Sequence, residues 1–349
     1  TLPGITLKTG ENTFTVEGVN HEGVVVHTKT FTITKTGDAP PVMALEGNPA
    51  SFNVALSEGL DLDANASYDP DGGTLSFEWE VTPTTDALLS PSGGLASADF
   101  SRPGLYLITA TGTDQGTGSA SIAREAAVFG GEGFSSFGGS RLEPFWEESS
   151  VEVINNTLAG PWYSLEADTG HLIISVPGDR AYPLGPAQTG DSTHPWIKRE
   201  LPATDDWILQ TDLELIGLQF GNFMTGLMVE VESGTERKRY GFGYRDGNKL
   251  SVLQVSESAS PAVLFSTLYS LSSKMVVRMR RDGDDLVFEW RPDDMFEEVH
   301  RITRPAGSTV TAGGPFTSTE APEILNVSFD YVMLIDPAPV VPATDALVI

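Results

Sequence analysis

The 349-residue chain has no cysteine, few histidines and no long apolar run. The missing cysteine excludes disulfide bonds, thiolate metal sites and cysteine nucleophiles. The five histidines show neither the His-x-His nor the His-Glu-x-x-His spacing, which argues against a zinc site. No apolar stretch approaches the roughly 20 residues that a membrane-spanning helix needs. No leader peptide is visible, so we expect any targeting signal to lie upstream of Thr1.

Positive charge is also scarce, since 21 lysines and arginines stand against 48 acidic residues, a formal net charge of −27. Such a surface repels nucleic acid phosphates and anionic lipids, which argues against both as partners. We expect a solvated acidic surface that is compatible with bound divalent cations. Together with the lack of cysteine, this composition favours an extracellular or cell-surface location in a bacterium.

The residues that are abundant are those of short strands joined by tight turns. Glycine (36) and proline (23) shape turns, and the recurring Thr, Ser and Val residues suit strands. The sequence therefore predicts an all-β protein, long enough for two or three domains. The predicted units are a partial set of strands (1–37), a first complete domain (38–129), a Gly/Ser-rich flexible linker (130–141), a large domain (142–336) and a Pro-rich extended tail (337–349).

Residues 1–37 hold two alternating runs, at 12–18 and 24–34, which predict a β-hairpin. A lone hairpin is marginal in water, so this one must pack on the next domain, on upstream strands or on another chain. Its sequence, GENTFTVEGVNHEGVVVHTKTFTIT, resembles the last two strands of bacterial immunoglobulin-like domains. The resemblance implies a partial immunoglobulin-like unit.

Residues 38–129 include the stretches ASYDPDGGTLSFEWEV and RPGLYLITATGTDQGTGSASI. They resemble the polycystic-kidney-disease (PKD) type of immunoglobulin-like sandwich. The matching residues are the turn Asp69, Pro70, Asp71 and Gly72, the core tryptophan Trp79, and Pro103, Gly104 and Tyr106 of the penultimate strand. The family's usual Trp-Asp-Phe-Gly-Asp-Gly run is absent here, so the resemblance implies a divergent member.

The large domain contains two hairpins whose registers can be predicted. In both, one face is apolar and the other brings opposite charges together, as cross-strand pairing favours. The predicted pairs are Glu230–Arg239, Val229–Tyr240 and Leu227–Phe242 in the first hairpin, and Met279–Phe288, Val277–Trp290 and Arg278–Glu289 in the second. This assignment predicts that Trp290 belongs to the core.

Four stretches of the same domain, WYSLEADTGHLIISVP, DDWILQTDLEL, TGLMVEV and VSFDYVMLID, resemble the concanavalin A-like lectin/glucanase superfamily. The resemblance is strongest to the jelly-roll domain at the C-terminus of β-xylosidases. It implies two stacked antiparallel sheets, and several such domains bind carbohydrate on the concave face or at its loops.

Laminarinase-type glycosidases share the jelly roll and carry their catalytic carboxylates on a Glu-x-Asp-x-x-Glu strand. Retaining hydrolysis needs two carboxyl groups roughly 5–5.5 Å apart. The nearest match is Asp212-Leu213-Glu214, in which the third acid is missing. Nor does a Gly-x-Ser-x-Gly elbow support a serine triad. The sequence therefore predicts a protein that is not an enzyme, with a glycoside hydrolase as the minor alternative.

Candidate glycan contacts lie in the long polar segment 183–200, since long irregular segments in compact domains are often functional. Trp196 is predicted to expose a ring on which a sugar stacks, although a tryptophan capping the sandwich edge is the alternative. The further candidates beside it are His194, Lys198 and Arg199. A lattice of Arg237, Arg239, Arg278 and Arg280 is the candidate contact for an anionic glycan, the alternative being paired, solvated charges.

Two acidic turns are candidate structural calcium sites, because hard cations take oxygen ligands. The first supplies Asp61, Asp63, Asp69 and Asp71, and the second is the run 281–285. The alternative for both is a turn built on Asp-Gly chemistry, without metal.

These patterns predict a carbohydrate-binding or adhesion module of a larger secreted or surface protein, with polysaccharide as its partner. The alternative is a structural envelope or appendage protein that associates with other copies of itself. Exposed strand edges in the hairpin favour this second hypothesis.

Overall fold

The computed structural model confirms the predicted all-β fold, with 24 strands and no helix in the part it describes. That part comprises residues 7, 10–35, 37, 39–116, 118–130, 133–137, 142–148, 163–165, 168, 170–176, 178, 181–184, 194–203, 205–217, 221–256, 259–269, 274–292 and 295–336. No helix in these ranges could cross a membrane. The predicted tail 337–349 and the stretch 185–193 of the predicted glycan segment lie outside the described residues.

The N-terminal hairpin consists of β1 (Gly10–Val19) and β2 (Val25–Lys35), which among the described residues pair only with each other. Phe14 lies opposite Phe31, and Val16 lies on the same face. Thr13 and Thr15 of β1 lie on the other face, opposite Thr32 and Thr30. The apolar face is open, with Phe31 44% exposed and Val16 57% exposed.

The N-terminal sandwich follows, with two sheets ordered β3-β9-β8-β5 and β4-β7-β6. Its strands are β3 (Ser51–Ala55), β4 (Leu60–Asp63), β5 (Ser76–Thr82), β6 (Ala87–Ser92), β7 (Leu95–Phe100), β8 (Gly104–Thr113) and β9 (Ser119–Phe129). Alternate residues of β8, such as Tyr106 and Ile108, fill the space between the sheets, as a period of two requires. Trp79 packs against this core and donates its indole N–H to the Gly93 carbonyl at 3.0 Å.

The C-terminal sandwich has a seven-stranded and an eight-stranded sheet. The seven-stranded sheet runs in the order β11 (Glu147–Glu148), β14 (Ile197–Glu200), β23 (Thr309–Thr319), β16 (Phe223–Ser233), β17 (Glu236–Arg245), β18 (Lys249–Ser256) and β19 (Ala259–Leu268). The eight-stranded sheet runs β12 (Tyr163–Ser164), β13 (Leu172–Val176), β24 (Leu325–Ile335), β15 (Ile208–Leu215), β20 (Lys274–Asp282), β21 (Asp285–Arg291) and β22 (Glu297–Thr303), and β10 (Phe134–Ser135) also pairs with β24. Residues such as Trp207, Phe242 and Phe288 are fully buried between the sheets.

Both predicted hairpin registers of this sandwich are confirmed. Glu230 pairs with Arg239 across β16 and β17, and Met279 pairs with Phe288 across β20 and β21. Trp290 packs on the main core at its edge. The structure differs from expectation in the predicted linker 130–141, where Phe134 and Ser135 pair with β24 and Phe137 is buried in the core.

The two sandwiches pack face to face. The outer face of the sheet β3-β9-β8-β5 lies against the outer face of the eight-stranded sheet. An apolar cluster fills the contact, formed by Ala127, Leu105 and Phe129 from the N-terminal side and Phe134, Ile208, Tyr331, Met333 and Ile335 from the C-terminal side. Strands β15 and β24 are therefore buried on both faces, which explains their nearly continuous apolar runs.

A buried ion cluster lies at the margin of this contact. Arg278, only 2% exposed, is held by the carboxylate of Glu125 from β9 and donates to Oε1 of Gln210 at 2.7 Å. Its guanidinium carbon lies 3.5 Å from the centroid of the Phe296 ring. The expectation that Arg278 belongs to a solvated lattice is therefore wrong. The N-terminal sandwich covers this side chain, and Arg237 and Arg239 lie on the other sheet.

Candidate functional site

The N-terminal sandwich covers the eight-stranded sheet of the C-terminal sandwich. It does not cover the outer face of the seven-stranded sheet. Its residues alternate with those of the core, so Met224, Met228 and Phe316 point outward while Leu227 and Val229 point inward. The outward residues are nevertheless buried, and they form one apolar cluster with Leu184 and Trp196. We call this surface the outer face.

A cavity of about 250 Å³ opens on the outer face. Its apolar lining consists of Leu184, Phe223, Met224, Leu253, Pro261 and Val263. Its polar lining consists of Asn222, Arg245, Asp246, Ser318 and Glu320. Apolar walls with a few convergent polar groups are typical of a small-ligand site.

The polar rim is fixed by the turn after β17. Asp246 adopts a φ of 53°, and its Oδ2 accepts a hydrogen bond from Lys249 Nζ at 2.9 Å. Arg245 Nε lies 3.6 Å from the same oxygen. The hydroxyl of Tyr244 donates to the Gly247 carbonyl at 2.7 Å, which ties the turn to the sheet. The turn thus presents a cation and an anion side by side at the cavity.

Trp196 and His194 do not lie where the sequence placed them. Both are 1% exposed. Trp196 belongs to the apolar cluster of the outer face, and Lys198 Nζ and Arg239 Cζ lie 5.6 and 5.4 Å from its ring centroid. The prediction of an exposed Trp196 is therefore wrong, and the alternative of a tryptophan that caps the sandwich describes it better. In this position the ring has no free face on which a sugar could stack.

His194 is held in its neutral form. Burial lowers its pKa from 6.5 to about 3, the charge of Arg239 adds to the decrease, and a hydrogen bond to the Pro183 backbone opposes it. As the pH falls, the unfolded chain binds the proton on this histidine before the folded chain does. His194 therefore leaves the unfolding free energy unchanged above pH 6.5 and lowers it as the pH falls below that value. The loss amounts to about 1.4 kcal/mol per pH unit.

We therefore expect His194→Gln to reduce the acid sensitivity of the fold. Between pH 7 and pH 5, wild type should lose about 2 kcal/mol more unfolding free energy than the variant, because only wild type carries this histidine. Urea unfolding of both proteins at the two pH values measures the difference. Equal losses in the two proteins would show that His194 is not kept neutral by the fold.

The predicted basic residues divide into paired and stacked groups. Glu230, itself 5% exposed, accepts a hydrogen bond from Arg239 at 2.9 Å, and Arg237 bonds Glu232 at 3.0 Å. The Arg199 guanidinium carbon lies 4.4 Å from the centroid of the Phe145 ring. Ligand binding by Lys198, Arg199, Arg237 and Arg239 stays a prediction, with part of their charge already compensated within the protein.

The candidate calcium ligands act as acceptors for backbone N–H groups. Asp69 accepts bonds from Asp71 and Gly73 at 2.8 and 2.7 Å, and Asp71 in turn accepts one from Ala39 at 2.7 Å. Asp63 accepts one from Asn65, while Asp61 lines a separate opening beside it.

Within the described ranges no three acidic or histidine side chains are grouped as metal ligands are. In the second turn, Arg301 bonds both Asp282 and Asp285. Calcium binding therefore stays a prediction.

None of the cavity-lining residues was predicted from the sequence as a ligand contact, although Leu184 lies within the predicted glycan segment 183–200. A signal for part of the cavity was present in β16, whose FMTGLMVEV run is apolar at both odd and even positions. Such a run indicates a strand that is covered on both faces, rather than one with a solvent face. The run of β16 thus indicates that the outer face is covered, but it gives no indication of the turn residues Arg245 and Asp246.

No family model matches the chain, and no curated protein matches it. Solved structures are similar in strand arrangement. One is a GH43 protein, BlXynB of Bacillus licheniformis, 12% identical, with 71% of this chain and 52% of that chain covered and a TM-score of 0.44. A second is a xylan β-1,4-xylosidase of Bacillus halodurans C-125, 15% identical, with coverages of 66% and 51% and a TM-score of 0.41. A third is alginate lyase A1-II′ of polysaccharide lyase family 7, 7% identical, with coverages of 55% and 95% and a TM-score of 0.39.

The chain spans about half the length of the two xylan-related structures. At these identities the likeness concerns the fold alone. One prediction is corrected: the structures with a similar strand arrangement include glycoside hydrolases and a polysaccharide lyase, and the chain is therefore no longer assigned to the proteins without enzymatic activity.

Proposed function

We propose that the chain is an extracellular carbohydrate-recognition protein whose ligand occupies the cavity on the outer face. The observation that carries the proposal is the lining of that cavity, where Leu253 and Val263 face the charged pair Arg245 and Asp246. A pyranose ring offers the same combination, with apolar C–H groups on its faces and hydroxyl groups around its edge. The carbohydrate-active proteins of similar fold are consistent with this class of ligand.

The finer fold assignments belong to the same proposal. The N-terminal sandwich is taken as a divergent PKD-type domain and the C-terminal sandwich as a concanavalin A-like jelly roll. The strand pairing within each, with two facing sheets, supports both assignments. On this proposal the chain acts at a bacterial cell surface or in the surrounding medium.

We expect Leu253→Trp to weaken polysaccharide binding, because an indole in place of Leu253 fills the cavity. Affinity electrophoresis in gels that contain xylan, laminarin, mannan or alginate measures the effect, with at least a tenfold loss of affinity for the retained polysaccharide. Leu268→Trp is the matched control, since Leu268 lies at the end of β19, is 78% exposed and does not line the cavity.

Release of reducing ends or of unsaturated products from the same polysaccharides separates binding from catalysis. Binding without product favours a recognition module, whereas product formation that Leu253→Trp removes places catalysis at the cavity. Absence of both retardation and product with every polysaccharide would contradict the proposal.

Self-association through the N-terminal hairpin is the second candidate function. The apolar face formed by Phe14, Val16, Phe31 and Ile33 is open, and both outer edges of the hairpin lack a neighbouring strand among the described residues. Long unprotected edges pair readily with other strands. Sedimentation velocity over a range of concentrations distinguishes the two functions, because only this one requires a growing oligomer.

A further inference from the structure

A row of polar side chains crosses the eight-stranded sheet beside the area covered by the N-terminal sandwich. The row consists of His171, Asp330, Asp212 and Lys274. Asp330, Asp212 and Lys274 belong to the neighbouring strands β24, β15 and β20, and His171 directly precedes the next strand, β13. We call it the interdomain polar row. His171 Nε2 lies 3.6 Å from Asp330 Oδ1, and Lys274 Nζ lies 3.0 Å from Asp212 Oδ2.

A β-bulge places Asp330 in this row. Asp212 pairs with Tyr331 and the next residue, Leu213, pairs with Phe329, which leaves Asp330 as the additional residue of β24. Bulges redirect side chains and are frequent next to functional sites. Without the bulge, the period of two would turn Asp330 and Tyr331 to opposite faces of the sheet.

Asp212 has an unused hydrogen-bond acceptor. Its side chain is only 10% exposed, and its Oδ1 is buried without a hydrogen-bond donor in the described part of the chain. Burial raises the pKa of this carboxyl, and the hydrogen bond from Lys274 opposes the shift. Buried acceptors are normally satisfied, so this oxygen indicates a position at which a donor is missing.

The N-terminal sandwich forms one wall of the row. Arg291 of β21 bonds the Ser51 hydroxyl of β3, and its charge acts on both Asp212 and Tyr331. The Tyr331 hydroxyl accepts a bond from Gln210 at 2.6 Å and also bonds Asn53 of β3. Both sandwiches therefore contribute to the surroundings of Asp212. The far side is open, since Lys274 is 54% and Asp330 48% exposed.

We propose that the interdomain polar row is a second ligand site, which binds two adjacent hydroxyl groups of a neutral saccharide. One hydroxyl donates to Asp212 Oδ1, and its neighbour accepts from Lys274. The positive charges of Lys274 and Arg291 act on Asp212, so a neutral hydroxyl donor suffices at Oδ1. The site lies on the sheet opposite to the outer-face cavity, and it requires the two sandwiches to remain docked.

Isothermal titration of the full chain with xylotriose and with maltotriose tests this site, in a Leu253→Trp background that removes the cavity. Binding should persist in that background, and adding Asp212→Asn should weaken it at least tenfold, because one carboxylate oxygen becomes an amide donor. Asp284→Asn, the same change at a side chain that is 95% exposed in the turn between β20 and β21, should leave the affinity unchanged.

Loss of all binding in the Leu253→Trp background would overturn this site while leaving the cavity proposal intact. Unchanged affinity in Asp212→Asn would overturn it as well. Near-ultraviolet circular dichroism checks that Asp212→Asn folds. If it does not, Lys274→Ala, checked for folding in the same way, carries the test with the same expected loss, because the Lys274 side chain is 54% exposed.

Discussion

Arg278→Ala should separate the two sandwiches and lower the unfolding free energy by about 3–5 kcal/mol, the usual cost of removing one partner of a buried ion pair. The substitution leaves the largely buried Glu125 without its cation, whereas Glu289 keeps Arg280 at 3.2 Å. It also removes the guanidinium that stacks on Phe296. Calorimetry should show one unfolding transition in wild type and two in the variant, because the sandwiches would then unfold independently.

Arg301→Ala is the matched control for this substitution. Arg301 also bonds three acids, Asp282, Asp285 and Glu298, but its side chain is 37% exposed. Exposed ion pairs contribute about 0–1 kcal/mol, so this variant should keep a single transition close to that of wild type. A single, little-shifted transition in Arg278→Ala would show that the apolar cluster alone holds the sandwiches together.

Gly243→Ala should strongly destabilise the C-terminal sandwich. Gly243 lies opposite Gly226 in the β16–β17 pair, and both have positive φ angles, of 155° and 150°. A Cβ atom on Gly243 would lie nearer than 3.0 Å to the backbone of Thr225 and Gly226. Strain and overpacking together should cost about 3 kcal/mol or more, as read from urea unfolding.

Gly234→Ala separates the two causes. Gly234 lies in the turn between β16 and β17 with a φ of 62°, and a Cβ there meets nothing within 4 Å. This variant should lose about 1 kcal/mol, the cost of a left-handed conformation alone. If both variants lose the same amount, the close approach of β16 and β17 contributes nothing and the backbone angle explains the whole effect.

Local patterning was sufficient to predict the strand registers. The pair Glu230–Arg239 was predictable because opposite charges on one face coincide with apolar residues on the other, as with Val229 and Tyr240. The same argument correctly paired Met279 with Phe288. A shift of one residue would have reversed both faces at once, so few registers were compatible with the sequence.

The same patterning could not identify what covers each sheet. Arg278 and Arg280 look alike in the sequence, yet Arg278 is buried because Glu125, 153 positions earlier in the chain, lies above it. Trp196 was misplaced for a related reason, since its burial depends on a sheet face built from other strands. The residues Tyr331, Met333 and Ile335 alternate with Val332 and Leu334, and an apolar run of this kind indicates a strand covered on both faces. No local sequence pattern indicated that a second domain would provide this cover.

Because the N-terminal sandwich docks on the eight-stranded sheet, the seven-stranded sheet with its cavity faces away from it. Facing sheets in a sandwich lie about 10 Å apart, so the cavity with Leu253 is separated from the N-terminal sandwich by the full thickness of a two-sheet layer. A chain that is attached through its N-terminal half would therefore hold this cavity on its distal side. On the proposed function, many such chains side by side would engage one extended polymer, and their weak single contacts would add up to firm attachment.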